Sequence, residues 1–223
     1  MKYQEFKYNV DVVFCVDVAQ SMGSYLQEIK QNILNFYQMY FDHMEENDKA
    51  IAQFRAKLIT FRNYKYDDEP MTESQFFILP DQNDEFEVLV NSIEARGGGD
   101  GPKNALEAIA LALKSDWTTS GDRRRHAILM FSDAPALPLG ECANIKSYPE
   151  GMPADFAQLG AWWEGVDPSF DGTYQAKAGR LIVFAPNTEP WIEMCCWNRY
   201  WPAFSPAGGK LDVDISAIFS LPG

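Results

Sequence analysis

Asp17, Ser21, Asp100 and Asp133 are the residues with the chemistry to do something together. Asp17 ends an apolar run, DVVFCVD, and Ser21 follows in AQSM. Asp133 ends a second apolar run, HAILMFSD, and Asp100 sits in the glycine-rich stretch GGGDGP. Carboxylates forced together resist joint ionisation unless a cation lies between them. Three carboxylates and a hydroxyl are few, hard oxygen donors, and with room for waters they suit Mg²⁺ or Mn²⁺ better than zinc or a full Ca²⁺ cage. Taken singly, each has a plain structural role open to it: a strand end for Asp17, a helix cap for Ser21, a turn before Pro102 for Asp100.

The elements that would gather these residues can be read from the apolar pattern. Val10 to Val16 and His126 to Ser132 are continuous apolar runs, as expected for strands buried on both faces of a parallel sheet. Arg55 to Phe61 and Arg180 to Ala185 read the same way, and Ser74 to Leu79 reads as a short edge strand. Helical spacing runs from Ser21, a candidate N-cap, to Met44, and again over Asn83 to Ile93, Ala105 to Lys114 and Ala154 to Glu164. Pro102 fits a first helical turn, where its missing N–H does no harm. Pro190 to Arg199 and Asp214 to Phe219 are two further expected helices. Tyr64 to Glu73 reads as a charged turn, and Arg123 to Arg125 as a solvated loop before a strand. Alternating strands and helices imply an α/β fold with right-handed crossovers: a Rossmann-like open, mostly parallel twisted sheet with helices on both faces. In such sheets ligands lie beyond the carboxyl ends of the strands, where all three acidic loops would fall.

Composition narrows the function. The 223 residues suffice for one domain, taken as 1–223, with 1–9 as an extension, 10–138 carrying the acidic loops and 139–223 an aromatic-rich part. Hydrophobic residues make up 46% and charged residues 23%, so a packed core is expected. The formal net charge of −13 repels phosphate backbones and anionic headgroups, which argues against nucleic acid or membrane as the main partner. The N-terminal apolar run is too short and too acidic for a signal peptide, and no run spans a bilayer, so a cytoplasmic location is expected. Cys15, Cys142, Cys195 and Cys196 lack metal-ligand spacing and are expected to be reduced. Trp162, Trp163, Trp191, Trp197 and Trp201, with Tyr200 and Phe204, are expected to close one end of the core, with a partner surface as the alternative.

Enzyme readings fare less well. A magnesium-dependent phosphohydrolase needs a second aspartate two residues after the first, and that position is Ala19. RGGGDGP does not directly follow a strand in dinucleotide-binding form. No nucleophile elbow is present, and His126, opening a strand, is expected to be packed.

Together, DVVFCVDVAQSMGSY, GGGDGPKNALEAI and HAILMFSDAP resemble a von Willebrand factor A domain over about Val10 to Pro138. They are most similar to its intracellular bacterial branch, including the domains related to alpha-kinases. The resemblance implies a non-enzymatic protein-interaction module with a protein partner, built around a metal-ion-dependent adhesion site. Matched by position, Asp17 and Ser21 take the first and last places of the Asp-x-Ser-x-Ser motif, Asp100 stands where threonine is common, and Asp133 takes the final place. Ala19 departs from the pattern, a methyl replacing a hydroxyl. With three carboxylates around one divalent ion the charge count is about −1. That leads to the expectation of a closed, structural metal site, or one favouring neutral or basic partner groups.

Overall fold

The computed structural model describes residues 6–205. Seven strands form one sheet: β1 (Lys7–Asp17), β2 (Ala50–Phe61), β3 (Met71–Glu73), β4 (Phe77–Leu79), β5 (Arg123–Phe131), β6 (Gly179–Pro186) and β7 (Tyr200–Ser205). Their order is β3-β2-β1-β5-β6-β7, with β4 also on β2. The β2-β1-β5-β6-β7 core is parallel, and β3 and β4 pair antiparallel with β2. Helices α1 (Leu26–Glu46), α2 (Asn83–Asn91), α3 (Ala105–Leu113) and α4 (Phe156–Glu164) complete the layers.

The unbroken apolar run of β1 follows from burial on both faces. Val10, Val12, Phe14 and Val16 pack with α1 and α2 residues such as Ile29, Phe36 and Phe86. Val13 and Cys15 pack with Ile109, Leu113 and Trp163 from α3 and α4. Successive side chains of a strand point to opposite faces, so a helical layer on each side demands apolar residues at every position.

Several sequence expectations are corrected. Strand β1 begins at Lys7, inside the stretch taken as an extension. Arg123 to Arg125 form the start of β5 rather than a loop, because their backbones pair with Tyr8 to Val10 of β1. Their guanidinium groups reach sideways, Arg125 over the Tyr8 ring and Arg124 to Gln175 Oε1. Within the expected turn, Met71–Glu73 pairs with the end of β2. The expected helix over 190–199 is one 3₁₀ turn, Glu193–Cys196, and the chain then enters β7. Tyr200, Trp201 and Phe204 are strand formers, and that signal was outweighed by their place after a helical pattern. The expected helix over 214–219 lies outside the described residues.

The aromatic cluster behaves as core: Trp163 and Trp191 are fully buried, and Trp162 and Tyr200 nearly so. All four cysteines are free. His126 is buried, stacks on Trp117, accepts from Gln175 N and donates through Nε2 to Thr118 O.

Candidate functional site

Neighbouring parallel strands β1 and β5 end in step, their last pair being Val16 and Phe131. The residues just beyond are therefore thrown together at the sheet's carboxyl edge. Asp17 is fully buried there. Its Oδ1 accepts from the backbone N–H of Ala19 at 2.9 Å, and its Oδ2 from the Ser132 hydroxyl at 2.8 Å. Ser21 lies in a 3₁₀ turn (Gln20–Ser24) that precedes α1, so it does not cap that helix. Its hydroxyl instead donates to Asp133 Oδ1 at 3.0 Å. Two carboxylates and two hydroxyls thus join the β1 and β5 loops. Burial pushes the Asp17 carboxyl up to about 7; the bonds from Ala19 and Ser132 oppose this, Asp133 adds to it, and Lys103 opposes it.

The glycine loop reaches the same edge. Arg96 N–H donates to Val18 O, and Gln20 N–H to Gly97 O. Beyond the loop, Lys103 N–H donates to Pro135 O, and Leu137 N–H to Lys103 O, tying the entry of α3 to the chain after Asp133. Gly98 needs to be glycine: its φ is +84°, and a Cβ there would lie 2.4 Å from the Ala19 Cβ. Its N–H is held by both oxygens of Asp67, at 3.1 and 3.0 Å.

Asp100 is exposed on this loop, and among the described residues no group of three or more acidic, histidine or cysteine side chains is close enough to hold a metal. What the loop gathers inward is Lys103, only 2% exposed, whose Nζ donates to Gly99 O at 2.8 Å and Gly101 O at 2.7 Å. Position 19 is equally filled: Ala19 is 1% exposed and lies against Gly98. The Lys103 ammonium thus adds a positive charge to the edge, which the count of three carboxylates did not include.

Sequence reasoning missed Ser132 and Lys103. Ser132 had a signal, since the residue after a strand in step with β1 must face the Asp17 loop. Lys103 had none, because GGGDGPK reads equally well with the lysine turned to solvent.

A family model for the von Willebrand factor A domain matches residues 11–148, more than half of the chain. A curated relative, the alpha-protein kinase vwkA of Dictyostelium discoideum, is 27% identical over 144 residues, which are 65% of this chain and 21% of that protein. The chain thus corresponds to about a fifth of that relative's length. Among solved structures, the pilus adhesin SpaC of Lactobacillus rhamnosus GG superposes with a TM-score of 0.42 at 12% identity, over 58% of this chain and 16% of the adhesin. Its open conformation gives 0.42 at 13% identity, over 58% and 15%. With the parallel sheet, the β1 and β5 loops and the glycine loop in their places, the family match shows that this chain belongs to the von Willebrand factor A domain family.

Proposed function

We propose that the chain is a non-catalytic protein-recognition module that meets a protein partner with the carboxyl edge of its sheet. We further propose that Asp17, Ser21 and Asp133 hold a divalent cation there, Mg²⁺ first, with Mn²⁺ or Ca²⁺ as substitutes. Asp100 would add a ligand from the exposed loop.

The observation that carries this reading is the pair of bonds across the two strand ends, Asp17 to Ser132 and Ser21 to Asp133. The donors fit the ion in kind: all are hard oxygens, Ser21 and Asp133 are not buried, and a cation would favour the ionised form of the buried Asp17 carboxyl. Lys103 opposes the ion electrostatically, so affinity in the millimolar range is expected rather than the tight binding of an acid-only cage.

The hydrolase alternative gains nothing from the geometry, because the position for a second catalytic acid is the buried methyl of Ala19. The kinase named in the relative belongs to a protein of which this chain matches 21%. No helix among the described residues is long and apolar enough to cross a membrane.

Calorimetric titration of Mg²⁺ into the wild type and into Asp133→Ala tests the cation. A saturable heat lost in the variant supports it; absent or identical heats refute it. Affinity capture from the native host, with and without EDTA, tests the partner, and loss of capture in a folded Asp133→Ala chain is the expected result.

A further inference from the structure

Beside the proposed cation site lie two adjoining clefts, of about 220 and 520 Å³, that share Arg62, Glu69 and Arg96. Val18 lines the smaller and Gly97 the larger, so both open next to the β1 loop and the glycine loop.

Arg62 is the unusual residue. It is only 8% exposed, and no carboxylate pairs with it within ion-pair distance among the described residues. Its Nη1 donates to the backbone carbonyl of Glu69 at 3.0 Å, and its buried Nε has no hydrogen-bond partner. A guanidinium removed from water is normally paired with an oxyanion, because an unpaired buried charge is costly. Burial and the nearby charge of Arg96 both disfavour its charged form, with Asp67, Glu69 and Asp17 partly compensating.

The frame holding this group is rigid. Arg62 N–H donates to Pro70 O, and Arg62 O accepts from Asn104 N–H. Arg96 is fixed through its backbone bond to Val18 O. Four acids also line the clefts, Asp67, Asp68, Glu69 and Glu94, and of these Asp68, Glu69 and Glu94 are exposed to solvent. Asp67 is committed to the N–H groups of Gly98 and Asn63. Glu69 is 72% exposed and touches Arg96 only loosely, at 3.4 Å. A loose surface contact of this kind is readily exchanged.

We infer that Arg62 and Arg96 form a subsite for an oxyanion carried by the protein partner, an acidic side chain or a phosphoryl group, which displaces Glu69 from Arg96. Two guanidinium groups, one buried and one 60% exposed at the rim, suit the forked recognition of carboxylate or phosphate. The inference rests on the reading of this edge as the partner-binding face. It requires no metal, so its test is run without one and stands or falls separately.

The test is a titration of the whole chain in EDTA with inorganic phosphate and, separately, with acetate, followed by the arginine Nε–H resonances in ¹H–¹⁵N spectra. Chloride at matched ionic strength is the control. The expected result is a saturable shift of the Arg62 and Arg96 signals. Response to phosphate alone assigns a phosphoryl group, and response to acetate alone an acidic side chain. Arg96→Gln should weaken the effect about tenfold, the size of one charge-assisted hydrogen bond. Glu69→Gln should strengthen it several-fold. Both substitutions are at exposed side chains, and the backbone spectrum reports whether each variant is folded. Shifts that do not saturate, that chloride reproduces, or that persist at equal affinity in Arg96→Gln overturn the inference.

Discussion

Replacing Asp17 by asparagine should make the metal-free protein more stable in neutral and alkaline solution. Asp17 is fully buried, and burial raises its carboxyl from about 3.8 to about 7. In the unfolded chain the group ionises near the ordinary value. Between these two values the native state keeps a proton that the unfolded state has released, so stability falls as pH rises. Below pH 3.8 both states are protonated and the effect vanishes; above about 7 it is complete. The full difference corresponds to about 4 kcal/mol at roughly 1.4 kcal/mol per pH unit, and more than half of it accrues between pH 5 and pH 8. Asparagine fits the same bonds: its carbonyl can accept from Ala19 N–H, and its amide can donate to the Ser132 hydroxyl, which turns toward Ala134 O at 3.3 Å. Urea unfolding of both proteins in EDTA at pH 5 and pH 8 measures this directly. The stability of Asp17→Asn relative to wild type should rise by about 2–3 kcal/mol over that interval. Adding Mg²⁺ at pH 8 should then recover stability in the wild type more than in the variant, since only a ligand-bound native state gains. Parallel pH profiles for the two proteins would show that Asp17 is not held protonated by its surroundings, and the electrostatic account of the edge would be wrong.

Lys103→Gln removes the ammonium that ties Gly99 O and Gly101 O, and should cost about 2 kcal/mol in chemical denaturation. The same variant should bind Mg²⁺ several-fold more tightly by calorimetry, because a positive charge near Asp17 is gone. Gly98→Ala should destabilise by about 2 kcal/mol or more, from its φ of +84° and a Cβ 2.4 Å from that of Ala19; a neutral result in urea titration would mean the loop is not seated on Ala19. Asp11→Ala should cost about 3–5 kcal/mol in the same assay, since this buried carboxylate accepts from Arg55 Nε and Nη2 and from Thr118, and its loss strands the guanidinium.

Local chemistry explains which parts of this molecule were legible without coordinates. The run VDVVFCV is short and rich in β-branched and aromatic residues, which marks it as a strand covered on both sides rather than a buried helix such as α3. Two such runs, each ending in an aspartate, with helical patterns between them, define a parallel sheet and its functional edge. Asp17 and Asp133 were therefore legible as residues at one edge. The start of β5 was not, since Arg123 to Arg125 look solvated until their backbones are seen paired with Tyr8 to Val10. Strand β7 was hidden for a related reason: its pairing with β6 is non-local.

What the sequence determined by itself is the buried centres of β1, β2, β5 and β6, the four helices between them, and the identity of the acids at the strand ends, because periodicity and strand termini are properties of neighbouring residues. What the tertiary structure decided is who meets whom. Ser21 turned out to serve Asp133 rather than a helix end, Lys103 to turn inward beneath the glycine loop, and Arg62 to be buried without an ion-pair partner among the described residues. Each of these depends on distances between segments far apart along the chain, set by how the loops pack on the finished sheet, and no local pattern encodes them.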